Sequence, residues 1–184
     1  MSTEAPTRLL ILGLGNVLCG DDGLGVRAVH LVARGYRPSE GVSILDGGTL
    51  GLSLLPHLED AEQAILVDAI RADAPPGSPV RLEGEEVAPA VAARLSPHQV
   101  GVADLLGGAR LLGRLPKHLV LLGLVPRMLE LQFGCSPEVE ARLPELAAWV
   151  VSEAARLGHP LKPVALDEAP VAWSPVDVGR ILGM

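Results

Sequence analysis

Arg8-Leu-Leu-Ile-Leu-Gly-Leu-Gly15 opens the chain with an apolar run that no polar side chain interrupts between Leu9 and the closing glycine. Six apolar residues are too few to cross a bilayer, and their lack of alternation reads as a strand covered on both faces. The glycines at its end mark a turn. A helix is expected over Gly23 to Arg34, where Leu24, Val26, Val29, Leu31 and Val32 fall on one side.

The pattern then repeats. Val42 to Leu45 reads as a second strand ending at Asp46-Gly47-Gly48, with Thr49 placed to cap a helix over about Leu50 to Leu58. Ala64 to Asp68 is a third strand, followed by the proline-broken loop Arg71 to Ser78. Val80 to Leu82 is a short fourth strand. Because a loop rather than a helix precedes it, it is expected antiparallel at an edge. Val87 to Leu95 reads as a short helix, Ser96-Pro97-His98 as an interrupting loop, and Val100 to Leu112 as a further helix. Leu119 to Leu124 is the fifth strand, and Val139 to Leu157 a long amphipathic helix. Strands alternating with helices predict a three-layer α/β fold, with a five-stranded, mostly parallel twisted sheet between helices.

Composition agrees with this class. The 184 residues are 48% apolar but only 2% aromatic, so Leu, Val and Ala must supply the core. One domain is expected over residues 1–158, followed by a proline-punctuated tail over 159–184. The net charge is −7 and the basic residues are scattered, which argues against nucleic acid and anionic membranes as partners. Met1 to Arg8 is polar and lacks the apolar centre of a signal peptide. The two cysteines, Cys19 and Cys135, make neither a disulfide framework nor a CxxC site. The cytoplasm is the expected compartment.

In an open parallel sheet, ligands bind beyond the carboxyl ends of the strands, where chain order reverses. Asp46 and Asp68 end strands, Asp21 and Asp22 follow the first strand by one tight loop, and His98 is close enough in chain order to join them. Two or three carboxylates and an imidazole suit a borderline divalent metal. Each residue also has a plainer reading: Asp22 as a helix cap, Asp68 with a structural partner, His98 as an ordinary loop histidine. His30, His57, His118 and His159 read as surface or packing residues. Gly13-Leu-Gly15 lacks the third glycine of a dinucleotide fingerprint, since Leu18 stands at that position. No HExxH helix or GxSxG elbow is present. Cys19 reads as a small hydrophobe rather than a thiol nucleophile.

Gly13-Leu-Gly-Asn-Val-Leu-Cys-Gly-Asp-Asp-Gly-Leu-Gly-Val-Arg27 resembles the opening strand, loop and helix of the hydrogenase maturation proteases. The resemblance continues in order through Asp46-Gly-Gly-Thr49, Val67-Asp-Ala-Ile70, Pro76-Gly77, Ser96-Pro-His-Gln99, Gly123-Leu-Val-Pro126 and Ser136-Pro-Glu-Val-Glu140. It spans about residues 8–157. It implies that Asp22, Asp68 and His98 are the metal-contacting site residues, with many members carrying glutamate where Asp22 stands. Asp46, Gly47 and Gly48 resemble the family's flexible segment beside the site. The implied activity is endoproteolytic removal of the C-terminal extension of a nickel–iron hydrogenase large-subunit precursor after nickel insertion. The nickel would be supplied by that precursor. A nickel-binding or delivery module without peptidase activity would use the same three ligands. A small-molecule hydrolase or nucleotide-binding protein on a similar scaffold is a third reading.

Overall fold

Every side chain of the opening run is buried, because its strand has a neighbour on each edge and a helical layer on each face. The computed structural model describes residues 7–92 and 97–164, apart from the side chains of residues 97–100. The strands are β1 (Leu9–Leu14), β2 (Tyr36–Arg37), β3 (Val42–Gly48), β4 (Gln63–Ala69), β5 (Pro79–Glu83), β6 (His118–Leu124) and β7 (Lys162–Pro163). The helices are α1 (Leu24–Gly35), α2 (Leu55–Glu59), α3 (Val87–Ala92), α4 (Pro97–Leu111), α5 (Pro137–Glu140) and α6 (Leu143–Arg156). Short 3-10 turns lie at Gly20–Gly23, Gly51–Leu54 and Gly84–Glu86.

The main sheet has five strands in the order β3-β1-β4-β6-β5. All pairings are parallel except β5 with β6, so the strand that follows a loop is the antiparallel edge strand, as expected. Because side chains alternate along a strand, Leu9 and Ile11 enter a core with Val29 and Val32 of α1 and Leu146 and Val150 of α6. Leu10, Leu12 and Leu14 enter the opposite core with Leu54, Leu58 of α2, Val91 of α3 and Leu105 of α4. Ile65 and Val67 of β4 join the first core, and Ala64 and Leu66 the second. Two cores on the two faces make the three-layer α/β architecture.

Several local expectations are corrected. The helix expected over Leu50 to Leu58 begins as a 3-10 turn, and Leu50 rather than Thr49 is its N-cap, without a side-chain cap bond. The helix expected over Val139 to Leu157 is two, broken between Glu140 and Leu143. Pro144 has no N–H to donate, and it sits in the first turn of α6, where none is needed. His98 lies in the first turn of α4, behind Pro97, not in a loop. Part of the tail is docked. β7 pairs antiparallel with β2, the Val164 N–H donates to the Gly35 carbonyl at 2.9 Å, and Leu161 is buried.

Gly25 sets how closely α1 approaches the sheet. A Cβ there would stand 2.0 Å from the Val67 carbonyl oxygen and 2.5 Å from that of Leu14. Both obstacles are backbone, so neither can swing aside. On the far edge, Glu153 of α6 is buried and bridges two arginines. It accepts from Arg81 Nη2 of β5 at 2.8 Å and from Arg156 Nη2 at 2.7 Å. Burial alone would raise its pKa, but the hydrogen bonds from Arg156 and Arg81 outweigh it and hold the carboxyl below its ordinary value.

Gly25→Ala should therefore lower stability by about 3 kcal/mol, the upper range for overpacking, measured by urea unfolding; an unchanged midpoint would contradict this seating of α1. The depressed carboxyl of Glu153 gives a second expectation. Its contribution is present above the ordinary carboxylate value of 4.5 and lost as pH falls through the lower folded-state value. Between about pH 6 and pH 3, stability of the wild type should thus fall more steeply than that of Glu153→Gln; parallel curves would refute the linkage.

Candidate functional site

β1 and β4 are neighbours, yet the chain leaves them in opposite directions. From β1 it runs through α1 to β3 at one edge; from β4 it runs outward to β5 and β6. Their carboxyl ends flank the point of reversal, where an open α/β sheet leaves a crevice. Asp22 follows β1 and Asp68 is the penultimate residue of β4, and both are buried, at 1% and 0% exposure. The Gly20–Gly23 turn that carries Asp22 rests against β4.

Local geometry fixes each carboxylate. Gly15 turns the chain out of β1 at φ +122°, and a Cβ there would lie 1.7 Å from the Asp22 carbonyl oxygen. The loop then folds on itself. The Asn16 N–H donates to Asp22 Oδ2 at 3.0 Å, and the Leu18 N–H donates to Asn16 Oδ1 at 3.0 Å. Asp22 is not a helix cap, since Gly23 is the N-cap of α1 and no side chain caps it. Asp68 Oδ1 accepts from the Ala69 N–H at 2.6 Å. By alternation Asp68 shares the face of Ala64 and Leu66, the face that α2, α3 and α4 cover.

The helix bearing His98 is seated at the same edge. Gly101 of α4 meets Gly51 backbone to backbone, and a Cβ on either would come within 3.0 Å of the other's Cα. Gly51 follows Asp46-Gly47-Gly48, the end of β3. The His98 side chain lies outside the described residues, and among those described no three His, Cys, Asp or Glu groups are gathered in a metal-holding cluster. Asp46 is exposed and pairs with His30 Nε2 at 2.9 Å, giving a partner to a histidine that reads from sequence as an ordinary surface or packing residue.

A residue without an assigned role turns out to organise the edge. Asp21, fully buried, accepts four hydrogen bonds from the chain beyond β6. Its Oδ2 takes the Arg127 N–H at 2.8 Å, the Met128 N–H at 3.2 Å and the Ser136 hydroxyl at 2.9 Å; its Oδ1 takes the Ser136 N–H at 2.6 Å. A buried carboxylate needs such donors. The only signal in sequence is a second acid beside Asp22 in a turn where one would suffice. Arg127 also pairs with Glu138. The segment so pinned forms one wall of a cleft of about 540 Å³, whose other lining includes Ala69, Arg71 and Pro76. Ala69, the residue after Asp68 in β4, lines the cleft, whereas the Asp68 side chain points to the opposite face of the sheet. Cys135, next to Ser136, is no thiolate: burial pushes its pKa up to about 11.

Asp21→Ala should leave three backbone amides without their acceptor and cost roughly 3 kcal/mol or more, with hydrogen exchange accelerated over residues 126–136. Stability and exchange equal to wild type would show that this carboxylate does not hold the segment.

Comparison with known proteins agrees with this fold. The family profile of hydrogenase maturation proteases matches residues 26–153. The hydrogenase 2 maturation protease of Escherichia coli K12 is 41% identical over 137 residues, covering 74% of this chain and 84% of that protein. The hydrogenase expression/formation protein HupD of Bradyrhizobium diazoefficiens is 40% identical over 165 residues, covering 84% of this chain and 86% of its own. Among solved structures, the hydrogenase-maturating endopeptidase HybD from E. coli superposes with a TM-score of 0.80 at 37% identity, over 85% of this chain and 97% of that one. A hydrogenase 2 maturation peptidase from a Thaumarchaeota archaeon gives a TM-score of 0.62 at 35% identity, over 82% and 99%. With its doubly covered sheet, its acids at the chain reversal and these relatives, the chain belongs to the hydrogenase maturation protease family.

Proposed function

We propose that this protein is an endopeptidase that removes the C-terminal extension of a nickel–iron hydrogenase large-subunit precursor after nickel insertion, and that the nickel carried by the substrate is what it recognises. The observation that carries this reading is the pair of buried carboxylates, Asp22 and Asp68, at the carboxyl ends of adjacent central strands. Two buried acids at one crevice make a site of negative charge that a divalent cation brought by the substrate complements. Carboxylate oxygens with one imidazole suit nickel among the borderline ions. In this reading Asp22, Asp68 and His98 contact the metal, and Asp46, Gly47 and Gly48 form the supporting segment against which the substrate rests. The nickel positions the scissile peptide and polarises its carbonyl or a water, with a carboxylate as the base that takes the proton. Enzyme and precursor meet in the cytoplasm, and neither nucleic acid nor membrane takes part. No helix among the described residues is long and apolar enough to cross a membrane.

The test is incubation with nickel-loaded precursor and mass spectrometry of the product's C-terminus. Wild type should make one discrete cut and leave nickel-free precursor intact. Asp22→Ala, Asp68→Ala and His98→Ala should each lower kcat/KM by about 100-fold or more while remaining folded. Equal trimming of nickel-free precursor would refute recognition through nickel. Nickel binding without any cut would instead make the protein a nickel-delivery module.

A further inference from the structure

Nine large apolar side chains are exposed among the described residues, and six of them stand on loops at the carboxyl edge of the sheet. Val17 and Leu18 follow β1, Leu50 and Leu52 follow β3, and Leu131 and Phe133 follow β6. Phe133, the only phenylalanine in the chain, is 86% exposed, and Leu131 is 84% exposed. Apolar exposure is ordinary when scattered; gathered around one crevice it marks a contact surface.

Four of these residues lie on two loops fastened to each other. The Gln132 N–H donates to the Leu18 carbonyl at 2.9 Å, and the Gly20 N–H donates to the Gln132 carbonyl at 2.8 Å. Asp21 clamps the same segment from both sides, at Arg127 and Met128 and again at Ser136. The backbone is thus held where Leu131 and Phe133 stay in water, although burying them would be favourable. A surface fixed in this way needs no ordering when it binds. The patch is also without charge: no acidic or basic side chain occurs over residues 13–20 or 131–137. That composition suits neither nucleic acid nor an anionic membrane.

We propose that Val17, Leu18, Leu131 and Phe133 form the docking face for the folded body of the protein substrate, which lays an apolar surface on them while its scissile segment enters beside Asp22 and Asp68. The occupant follows from continuity. The loop carrying Val17 and Leu18 is the one whose Asn16 N–H holds Asp22 at 3.0 Å, so a protein that delivers a peptide bond to Asp22 must cover this rim. The inference rests on the peptidase reading above and adds that affinity comes from the precursor's folded domain as well as from its metal.

The test is steady-state cleavage of nickel-loaded precursor by the full-length double variant Leu131→Ser, Phe133→Ser, with calorimetric binding and light scattering in parallel. KM should rise about tenfold or more, as for loss of an aromatic anchor, with kcat within about twofold and the melting temperature unchanged. An unchanged KM would overturn the docking face. So would a wild-type dimer that the variant splits while KM stays the same, since the patch would then join two copies of this chain. If wild type cuts nothing, the peptidase reading fails by itself, and calorimetry still decides the docking face: precursor binding lost in the variant supports it. Binding equal in both proteins, or absent from wild type, overturns it.

Discussion

A strand covered on both faces and paired on both edges has no room for a polar side chain along its length. β1 meets this constraint with Leu9 to Leu14 fully buried, and β4 with Ala64 to Val67. Polar chemistry is displaced to where these strands end. Asp22, in the turn beyond β1, and Asp68, near the end of β4, fall at the same edge because β1 and β4 are neighbours at the reversal of chain order. Gly15 and Gly25 keep the connection tight: one turns the loop beneath the Asp22 carbonyl, and the other lets α1 touch the sheet backbone. The site edge is thus a consequence of how the centre of the sheet is buried.

Two adjacent acids, chemically alike, have divided the work on this edge. The Asp22 side chain accepts the Asn16 N–H of its own loop. Asp21 reaches the chain beyond β6 and is satisfied by backbone and hydroxyl donors. A carboxylate with four such donors is a fastener, since its lone pairs are committed to the fold. Its effect is to hold one wall of the cleft, and the exposed rim beyond it, in fixed relation to Asp22. In the proposed function, gripping a large substrate therefore depends on a residue that need touch no substrate atom.

Much of the fold was legible in the sequence because burial on two faces leaves a distinctive run. The opening strand, the strand ending at Asp68 and the antiparallel edge strand could be read from hydrophobicity and loop length. Placement of Asp22 and Asp68 at one edge also followed, from strand ends and chain order. Other features depend on contacts between segments far apart. The docking of Lys162–Pro163 on Tyr36–Arg37 involves strands too short to show a period. Asp21 could not be told from Asp22, because its partners lie 106 to 115 residues away. The helical start at His98 was hidden because Pro97 reads equally as a loop breaker or as a first-turn residue. The cleft itself arises from the 71–76 and 125–130 segments, and neither has a periodic signature.

In the proposed function, carboxylates at the chain reversal contact the nickel of the bound precursor. X-ray absorption at the nickel edge, comparing nickel-loaded precursor alone with precursor held in complex with the slow-cutting His98→Ala protein, reads this directly. Complex formation should add oxygen ligands to the nickel, and these should disappear when Asp22 and Asp68 are also replaced by alanine. A nickel environment unchanged on binding would contradict it.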